Sequence, residues 1–337
     1  MTVMRTIDAI RQALDIELRR DPSVIVLGED VSYGGPFGAT KGLAETYGSR
    51  IRDTPISEAT VVGMTVGAAL AGCRPVVEVM YIDFITLAMD QLVNHAAKLR
   101  YMTDGLVHVP MVVRAQGGAR GSMGAHHSQG LEAWFTHVPG LAVVAPATPA
   151  DAKGLLQAAI RSEDPVLYLE HRGLYWTRAD VPDGDDAALV PIGCAAIRRT
   201  GSDVTIVSWS YMLTTALAAA DALATDGIAA EVIDLRSLQP LDMGTILESV
   251  ARTHRLVIAH EAVEQGGFGA EIAARVSEAA WADLAAPVAR VGAPFVPPPF
   301  SPDLERAFVP DAAAIISAVK HTLDTPSRAA STVRVRD

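Results

Sequence analysis

The chain of 337 residues contains little cysteine, almost no asparagine and no long apolar run. Cys73 and Cys194 lie far apart in apolar surroundings, which disfavours a disulfide framework or a zinc site and predicts free, buried thiols. The uncharged runs 59–73 and 204–220 are shorter than the ~20 apolar residues that span a bilayer. No membrane span is therefore expected.

Positive charge is also scarce, since 28 Lys and Arg face 39 Asp and Glu and give a net charge of -11 at pH 7. Nucleic acids and anionic membranes bind to basic surfaces, so neither is an expected partner. Residues 1–20 carry acidic side chains within a helical pattern and lack the features of a secretory signal. The sequence predicts an acidic, soluble, cytoplasmic enzyme.

Common phosphate-binding, metalloprotease and hydrolase motifs are absent from the sequence. It contains no GxxxxGK[ST], HExxH, paired CxxC or GxSxG. The glycine-rich stretch 117–125 follows an apolar run but lacks the glycine spacing of a dinucleotide site. A nucleotide-dependent or serine-hydrolase chemistry is therefore not indicated.

The first half of the chain alternates short apolar runs with helical patterns, which is typical of a parallel sheet covered on both faces. The Val-rich runs are 23–28, 74–81, 109–115, 141–146 and 165–171. The helical patterns are 6–20, 58–72, 83–101 and 149–161.

The composition becomes acidic between 177 and 193, with Pro and Gly and no sustained period, which predicts a linker. Beyond it the alternation of apolar runs and helices begins again. We therefore predict an α/β protein with two parallel-sheet domains. They span 1–176 and 194–323, joined by the linker and followed by a disordered tail over 324–337.

The stretch DTPISEATVVGMTVGAALAG at 53–72 places Glu58 at the entry to a helix of small and apolar residues. From the local pattern, a first-turn glutamate favoured by the helix dipole is the simpler interpretation, and a functional carboxylate is the alternative. The small residues allow another backbone to approach closely, as a buried interface would require.

The glycine-rich loop that begins at 117 carries His126 and His127 before an aromatic segment. Imidazole titrates near neutral pH, so a general acid or base is one interpretation of the pair. Surface histidines on a flexible loop are the other. The pattern alone leaves both open.

Taken together, these stretches resemble the beta subunits of the thiamine-diphosphate-dependent decarboxylating component of 2-oxo acid dehydrogenase complexes. The resemblance extends over about residues 5–323 and implies a transketolase-like fold, with a pyrimidine-binding domain before a transketolase C-terminal domain. Further pieces in the family's order are GEDV at 28–31, DQLVNHAAKLRYM at 90–102, HSQ at 127–129, HVPGL at 137–141, PATPADAKGLL at 146–156 and IDLRSLQPLD at 233–242.

The resemblance implies roles for four side chains. Glu58 would exchange a proton with the pyrimidine nitrogen of thiamine diphosphate, and Phe84 would pack on that ring. His127 would act near the reacting carbon and the lipoyl arm, as an acid in reductive acylation, whereas His126 stands where family members vary. Glu29 matches an acidic residue between the two active sites, where a proton relay and an ordinary ion pair are both open.

Some family members also bind a monovalent cation, K+, through backbone carbonyls of one loop. The resemblance places that loop here near Ala159, Ile160, Ser162 and Asp164. Ser162 departs from the acidic residue that is common at its position, which weakens the expectation.

The diphosphate-binding pattern of thiamine enzymes, a GDG followed by Asn, is incomplete here. The string Asp183 to Asp185 lies in the predicted linker, and the single asparagine, Asn94, precedes it. The resemblance implies that an alpha subunit holds the diphosphate and Mg, in an α2β2 heterotetramer without which this chain is inactive. The second domain would form the beta–beta contact and dock the lipoyl acyltransferase core.

Three alternatives remain at this point. The substrate is expected to be a 2-oxo acid, pyruvate first, although GGPFGATKGL at 34–43 favours acetoin enzymes. A two-chain transketolase-like carboligase would share Glu58 but need no lipoyl acceptor. A non-catalytic beta scaffold would not need Glu58 at all.

Overall fold

The computed structural model describes residues 1–325 and confirms two α/β units built on mostly parallel sheets. The strands are β1 Thr2–Arg5, β2 Val24–Gly28, β3 Ile51–Asp53, β4 Arg74–Tyr81, β5 Val112–Gly117, β6 Ala142–Val144, β7 Val166–His171, β8 Arg178–Val181, β9 Ala196–Arg199, β10 Val204–Ser208, β11 Ala230–Asp234, β12 Ser237–Gln239, β13 Leu256–Val263 and β14 Ala289–Ala293. The helices are α1 Thr6–Arg20, α2 Leu43–Tyr47, α3 Glu58–Leu70, α4 Ile82–Ile85, α5 Leu99–Met102, α6 Glu132–Thr136, α7 Pro149–Arg161, α8 Tyr211–Thr225, α9 Met243–Thr253, α10 Phe268–Ala279, α11 Pro302–Phe308 and α12 Ala312–Asp324.

The first sheet has seven strands in the order β12-β6-β7-β5-β4-β2-β3. All neighbours pair in parallel except β12, which runs antiparallel to β6. The Val-rich runs form its central strands because their apolar side chains are buried on both faces, as a sheet between two helix layers requires. The carboxyl ends of the parallel strands therefore meet at one edge.

The second sheet has five strands in the order β14-β13-β10-β11-β9, parallel except for β9. The two units also exchange structure, since β12 lies beyond the predicted linker but completes the first sheet. Within the stretch 177–193, predicted to lack regular structure, β8 pairs with β1. Strands of three or four residues, such as β8 and β12, carry too little pattern to be predicted from the sequence. The predicted domain bounds, 1–176 and 194–323, stay a prediction.

The predicted continuous helix over 83–101 is wrong. The chain instead forms α4, a 3-10 turn at Thr86–Ala88, a π-helical stretch at Asp90–Ala96, and α5. Within the π-helical stretch, Leu92 and Ala96 are the buried residues. Polar residues spaced three and four apart do not reveal such a change of helical pitch.

Both cysteines are free, but the expectation that they are buried is wrong. Cys73 is half-buried and Cys194 is exposed. Each lies in a connection just before a strand rather than inside an element.

Within residues 1–325, none of the helices combines the length and the apolar character needed to cross a bilayer. Of the tail predicted to be disordered, residue 324 ends α12, and 326–337 lie outside the described residues.

The two units pack into one continuous apolar core that includes Phe135 from the first unit and Trp209 and Phe268 from the second. A buried hydrogen bond also joins the two units. The Trp209 Nε1 donates to the Glu132 Oε1 at 3.2 Å. Burial raises the pKa of the Glu132 carboxyl. The second unit therefore helps to shape the interior of the first.

His260 on β13 lies at the centre of this packing. Its ring is fully buried, stacks on Trp209 with centroids 5.3 Å apart, and uses Nδ1 in a 3.1 Å hydrogen bond with the carbonyl of Ala262. Among residues 1–325, no partner reaches its Nε2. Burial lowers the pKa of His260 to about 4, with a smaller contribution from the charge of Arg290.

We expect the free energy of unfolding to fall as the pH falls from about 6.5 to about 4. Over this range the unfolded chain binds a proton at His260, whereas the folded chain does not. This contribution is fully present above the unfolded pKa and amounts to at most about 3.4 kcal/mol, at ~1.36 kcal/mol per pH unit between 6.5 and about 4. Urea unfolding at several pH values should show a shallower decline for His260→Gln. The exposed His321→Gln serves as the control, and equal declines for His260→Gln and wild type would contradict the assignment.

Candidate active site

Three aromatic rings form a cluster where β4 ends. The His127 ring packs edge-on against Tyr81 and Phe84, with centroids 4.6 Å and 5.2 Å away, and Tyr81 and Phe84 are 5.8 Å apart. Tyr81 is the last residue of β4, and Phe84 follows in α4, so the chain turns at once from strand to helix. The structure thus brings two predicted site residues together and adds Tyr81, which the sequence analysis missed.

The loop that carries His127 is closed at its base. The backbone N–H of Gly118 donates to the carbonyl of Gln129 at 3.1 Å, and the Gln129 Nε2 donates to the Asp83 Oδ1 at 2.7 Å. Asp83 precedes Phe84, so this bond ties the loop to the element that carries Phe84. His127 is half-buried, whereas His126 is exposed, which agrees with a secondary place for His126.

Two carboxylates lie beside each other at the same edge of the sheet. Glu29 follows β2 directly, and Glu58 is the first residue of α3, which follows β3. Burial raises the pKa of the Glu29 carboxyl, and the negative charge of Glu58 raises it further. Within residues 1–325, the Glu58 carboxylate has no hydrogen-bond or ion-pair partner. A half-buried acid is thereby left available for a bound group.

The four predicted residues share one edge for a topological reason. The strands β5, β4, β2 and β3 are adjacent and parallel, and at their carboxyl ends they lead to His127, Phe84, Glu29 and Glu58 in turn. In open α/β sheets, ligands bind outside the carboxyl ends of the strands. This edge is therefore the candidate active site.

A buried ion network lies under the site. Arg114 on β5 is 1% exposed, and its Nη1 donates to the Glu78 Oε2 at 2.6 Å while its Nε donates to the Glu170 Oε1 at 2.7 Å. The Tyr175 hydroxyl donates to the Glu170 Oε2 at 2.6 Å. Burial raises the pKa of the Glu78 carboxyl despite the nearby guanidinium, and the charge of Glu78 adds to the raised pKa of Glu29.

This network was not predicted from the sequence, although the sequence contains a usable signal for it. Glu78, Arg114 and Glu170 are each a charged residue inside an otherwise apolar run, and such residues are rarely buried unless they are paired. Which charged residues pair depends on which strands are neighbours in the sheet. The sequence of a single apolar run does not reveal its neighbours.

The predicted cation loop lies at the opposite edge of the sheet. The Arg74 Nη1 donates to the carbonyls of Ile160 and Ser162 at 3.1 Å and 2.9 Å, and Asp164 pairs with Arg100. Arg74 begins β4 and Tyr81 ends it, so the two are roughly 23 Å apart at 3.3 Å per residue. These carbonyls already have a cationic partner, and a cation at Ala159, Ile160, Ser162 and Asp164 stays a prediction. Among residues 1–325, no cluster of three or more His, Cys, Asp or Glu side chains could hold a metal ion.

Two family models and a solved structure define the fold class of the chain. Residues 2–177 match the family model described as the transketolase pyrimidine binding domain, and residues 193–315 match the transketolase C-terminal domain. A solved chain of a split-gene transketolase, described as an inactive beta4 tetramer, superimposes with a TM-score of 0.77 at 26% identity, covering 96% of this chain and 99% of that one. The fold is thus a transketolase-type pair of domains.

The relatives narrow the class. The chain is 47% identical to the beta subunit of acetoin:2,6-dichlorophenolindophenol oxidoreductase from Cupriavidus necator, over 94% of this chain and 96% of the relative. It is 48% identical to the mitochondrial pyruvate dehydrogenase E1 component subunit beta-1 of Arabidopsis thaliana, over 93% and 87%. The chain belongs to the family of pyruvate dehydrogenase E1 and acetoin dehydrogenase beta subunits.

We expect Arg114→Leu to lower the free energy of unfolding by about 3–5 kcal/mol, because it leaves two buried carboxylates without their counter-ion. Urea unfolding at pH 7 measures the loss. Arg100→Leu is the matched control, since that arginine is 47% exposed in its ion pair with Asp164, and such pairs contribute about 1 kcal/mol or less. Equal losses in the two variants would show that the network does not hold the sheet.

Proposed function

We propose that the chain is the beta subunit of a thiamine-diphosphate-dependent 2-oxo acid dehydrogenase and forms one wall of an active site shared with an alpha subunit. The observation that carries this proposal is the placement of Glu58, Glu29, Phe84 and His127 after four adjacent parallel strands. The reaction class comes from the relatives, which are beta subunits of pyruvate and acetoin enzymes.

The residues at this edge fit the pyrimidine end of the cofactor. Glu58 offers a half-buried carboxylate without a partner among residues 1–325, suited to a proton exchanged with a ring nitrogen. Phe84 and Tyr81 offer aromatic surface for a planar ring. When bound, thiamine diphosphate supplies the nucleophilic carbon for decarboxylation and acyl transfer. Glu58 would hold the proton at the ring nitrogen, and Glu29, with its raised pKa, would relay protons to and from the site.

His127 would serve the acyl-transfer half of the reaction. Its edge-on packing against Tyr81 and Phe84 fixes the plane of the ring. When the disulfide of a lipoyl group opens, one sulfur takes the acyl group and the other takes a proton, which His127 would donate. Histidine suits this role because it is the side chain that most often acts as a general acid or base.

An alpha subunit would complete the site by holding the diphosphate and Mg. Apolar residues Ile56, Met64 and Leu70, on and beside α3, are 78%, 49% and 48% exposed, which supports a partner surface next to Glu58. We propose an α2β2 assembly with a beta–beta contact and docking to a lipoyl acyltransferase core. A cytoplasmic location stays a prediction, because the Arabidopsis relative is named as mitochondrial.

Acetoin oxidation is the second candidate, because the acetoin relative at 47% identity and the pyruvate relative at 48% do not separate the two substrates. A transketolase-like carboligase is the third, supported by the structural likeness to split-gene transketolase. Turnover of the complex with its alpha partner on pyruvate, branched-chain 2-oxo acids and acetoin, with and without a lipoyl acceptor, separates these candidates. We expect pyruvate with a lipoyl acceptor to be turned over fastest.

We expect Glu58→Gln to lower turnover of the complex by about 10²-fold or more, the factor typical of losing a positioned acid or base. The amide cannot exchange a proton with the cofactor ring. Steady-state assays over a range of thiamine diphosphate concentrations measure the change. Glu45→Gln, at an exposed position in α2, is the control. Full activity of Glu58→Gln would leave a scaffold role for the chain.

We expect His127→Ala to lower lipoyl-dependent turnover by about 10²-fold and to leave most of the decarboxylation rate measured with an artificial electron acceptor. Only the first assay requires a proton for the lipoyl sulfur. The neighbouring His126→Ala is the matched control and should retain both activities. Equal losses in both assays for His127→Ala would place the residue in decarboxylation instead.

A further inference from the structure

The loop that carries His127 belongs to the first unit but is held by carboxylates of the second. Glu305, on α11, accepts from the backbone N–H of Gly121 at 3.0 Å and from that of Ser122 at 3.0 Å. Glu261, on β13, accepts from the backbone N–H of Ala119. The other oxygen of Glu261 lies 3.0 Å from the His171 Nε2. The loop is thus anchored at three backbone donors, those of Ala119, Gly121 and Ser122.

The loop needs such anchors because its backbone is strained. Arg120 and Ser122 have φ angles of 74° and 52°, a region that costs of order 1–3 kcal/mol for each non-glycine residue. Glu305 is 7% exposed, so its hydrogen bonds are shielded from water. A charged acceptor makes stronger hydrogen bonds than a neutral one. Glu305 therefore stabilises a conformation that the loop would not adopt alone.

The anchor lies close to the site along the chain. Ser122 is five residues before His127, and between them the N–H of His127 donates to the carbonyl of Gly124 at 3.3 Å. Phe300, two residues before α11, lies next to Gly124, where a side chain in place of the glycine hydrogen would come into contact with it. The segment 300–305 of the second unit thus lies against the loop at Gly121, Ser122 and Gly124, just before the turn that ends at His127.

We propose that Glu305 is a positioning residue for His127. By binding the N–H groups of Gly121 and Ser122, it fixes the loop so that the imidazole lies against Tyr81 and Phe84. The proposal rests on the proposed function for the role of His127 in turnover, but the position of the loop can be measured without any activity.

The first test reads the loop directly, in the full chain assembled with its alpha partner. Arg120 is the single Lys or Arg between Arg114 and Lys153, so a tryptic cut after Arg120 gives two fragments that mass spectrometry identifies without ambiguity. We expect Glu305→Ala to speed this cut by about ten-fold to a hundred-fold, as expected for the loss of hydrogen bonds to a charged group. The rate of carbethoxylation of His127 should rise with it, with His126 as an internal reference.

Asp303→Ala is the matched control, because Asp303 lies on the same helix but its side chain is 83% exposed. It should change neither rate. Glu305→Gln should fall between wild type and Glu305→Ala, since the amide keeps one acceptor oxygen but lacks the charge. This variant keeps the side-chain volume, so it reports on the loop if Glu305→Ala folds poorly.

The second test asks whether Glu305 acts through His127. We expect Glu305→Ala to lower lipoyl-dependent turnover by about 10²-fold, the scale of a misplaced catalytic group, but to add little loss in a His127→Ala background. If the two losses multiply, or if Glu305→Ala leaves the tryptic and carbethoxylation rates unchanged, the positioning role is wrong. A third outcome separates the two proposals. If Glu305→Ala speeds the modification of His127 but the wild-type complex shows no lipoyl-dependent turnover, the proposed function is wrong and the anchoring of the loop by Glu305 stands.

Discussion

The parallel register of β2, β4 and β5 is the constraint on which the site depends. Gly28 lies opposite Glu78, and Glu78 lies opposite Arg114, so the next residue of β2's chain, Glu29, emerges beside the charged pair. A slip of one residue would turn every side chain of a strand to the opposite face. It would separate Arg114 from both of its carboxylates and leave three charges buried without partners. The ion network and the apolar faces of the strands therefore specify the same register, and that register brings the four strand ends to one edge.

The sequence was sufficient for the elements whose pattern is local. The bounds of α1 and α7 were predicted to the residue, because each helix carries its own apolar stripe and, for α7, a start signal in which the Thr148 side chain accepts from the N–H of Asp151. Contacts between distant segments were out of reach. Tyr81 joins the His127 cluster, and β12 joins the first sheet, because of pairings that span tens to roughly a hundred residues. Glu58 and His127 were identified through family resemblance rather than through pattern, and the structure adds their shared edge.

The second unit contributes more to the site than a boundary near residue 193 would suggest. It donates a strand to the first sheet, buries Trp209 against Glu132, and holds the His127 loop with Glu261 and Glu305. A unit that only paired subunits would need none of these contacts. The two domains therefore act as one scaffold, and the geometry of His127 depends on both.

The charges at the candidate active site suit a site that a bound group or another chain would complete. Glu29, Glu58 and Glu78 bring three carboxyls near one another, and within residues 1–325 the buried Arg114 pairs with one of them, Glu78. Arg114 is shared with Glu170, so the edge keeps an excess of negative charge. The raised pKa values of Glu29 and Glu78 show how the chain responds, by making a proton easier to hold there. In the proposed function, a cofactor that shares a proton through a ring nitrogen would relieve the same repulsion at Glu58. Under the proposed function, the Glu58 carboxyl, which has no partner within residues 1–325, lies where a group from outside this chain would complete the charge balance.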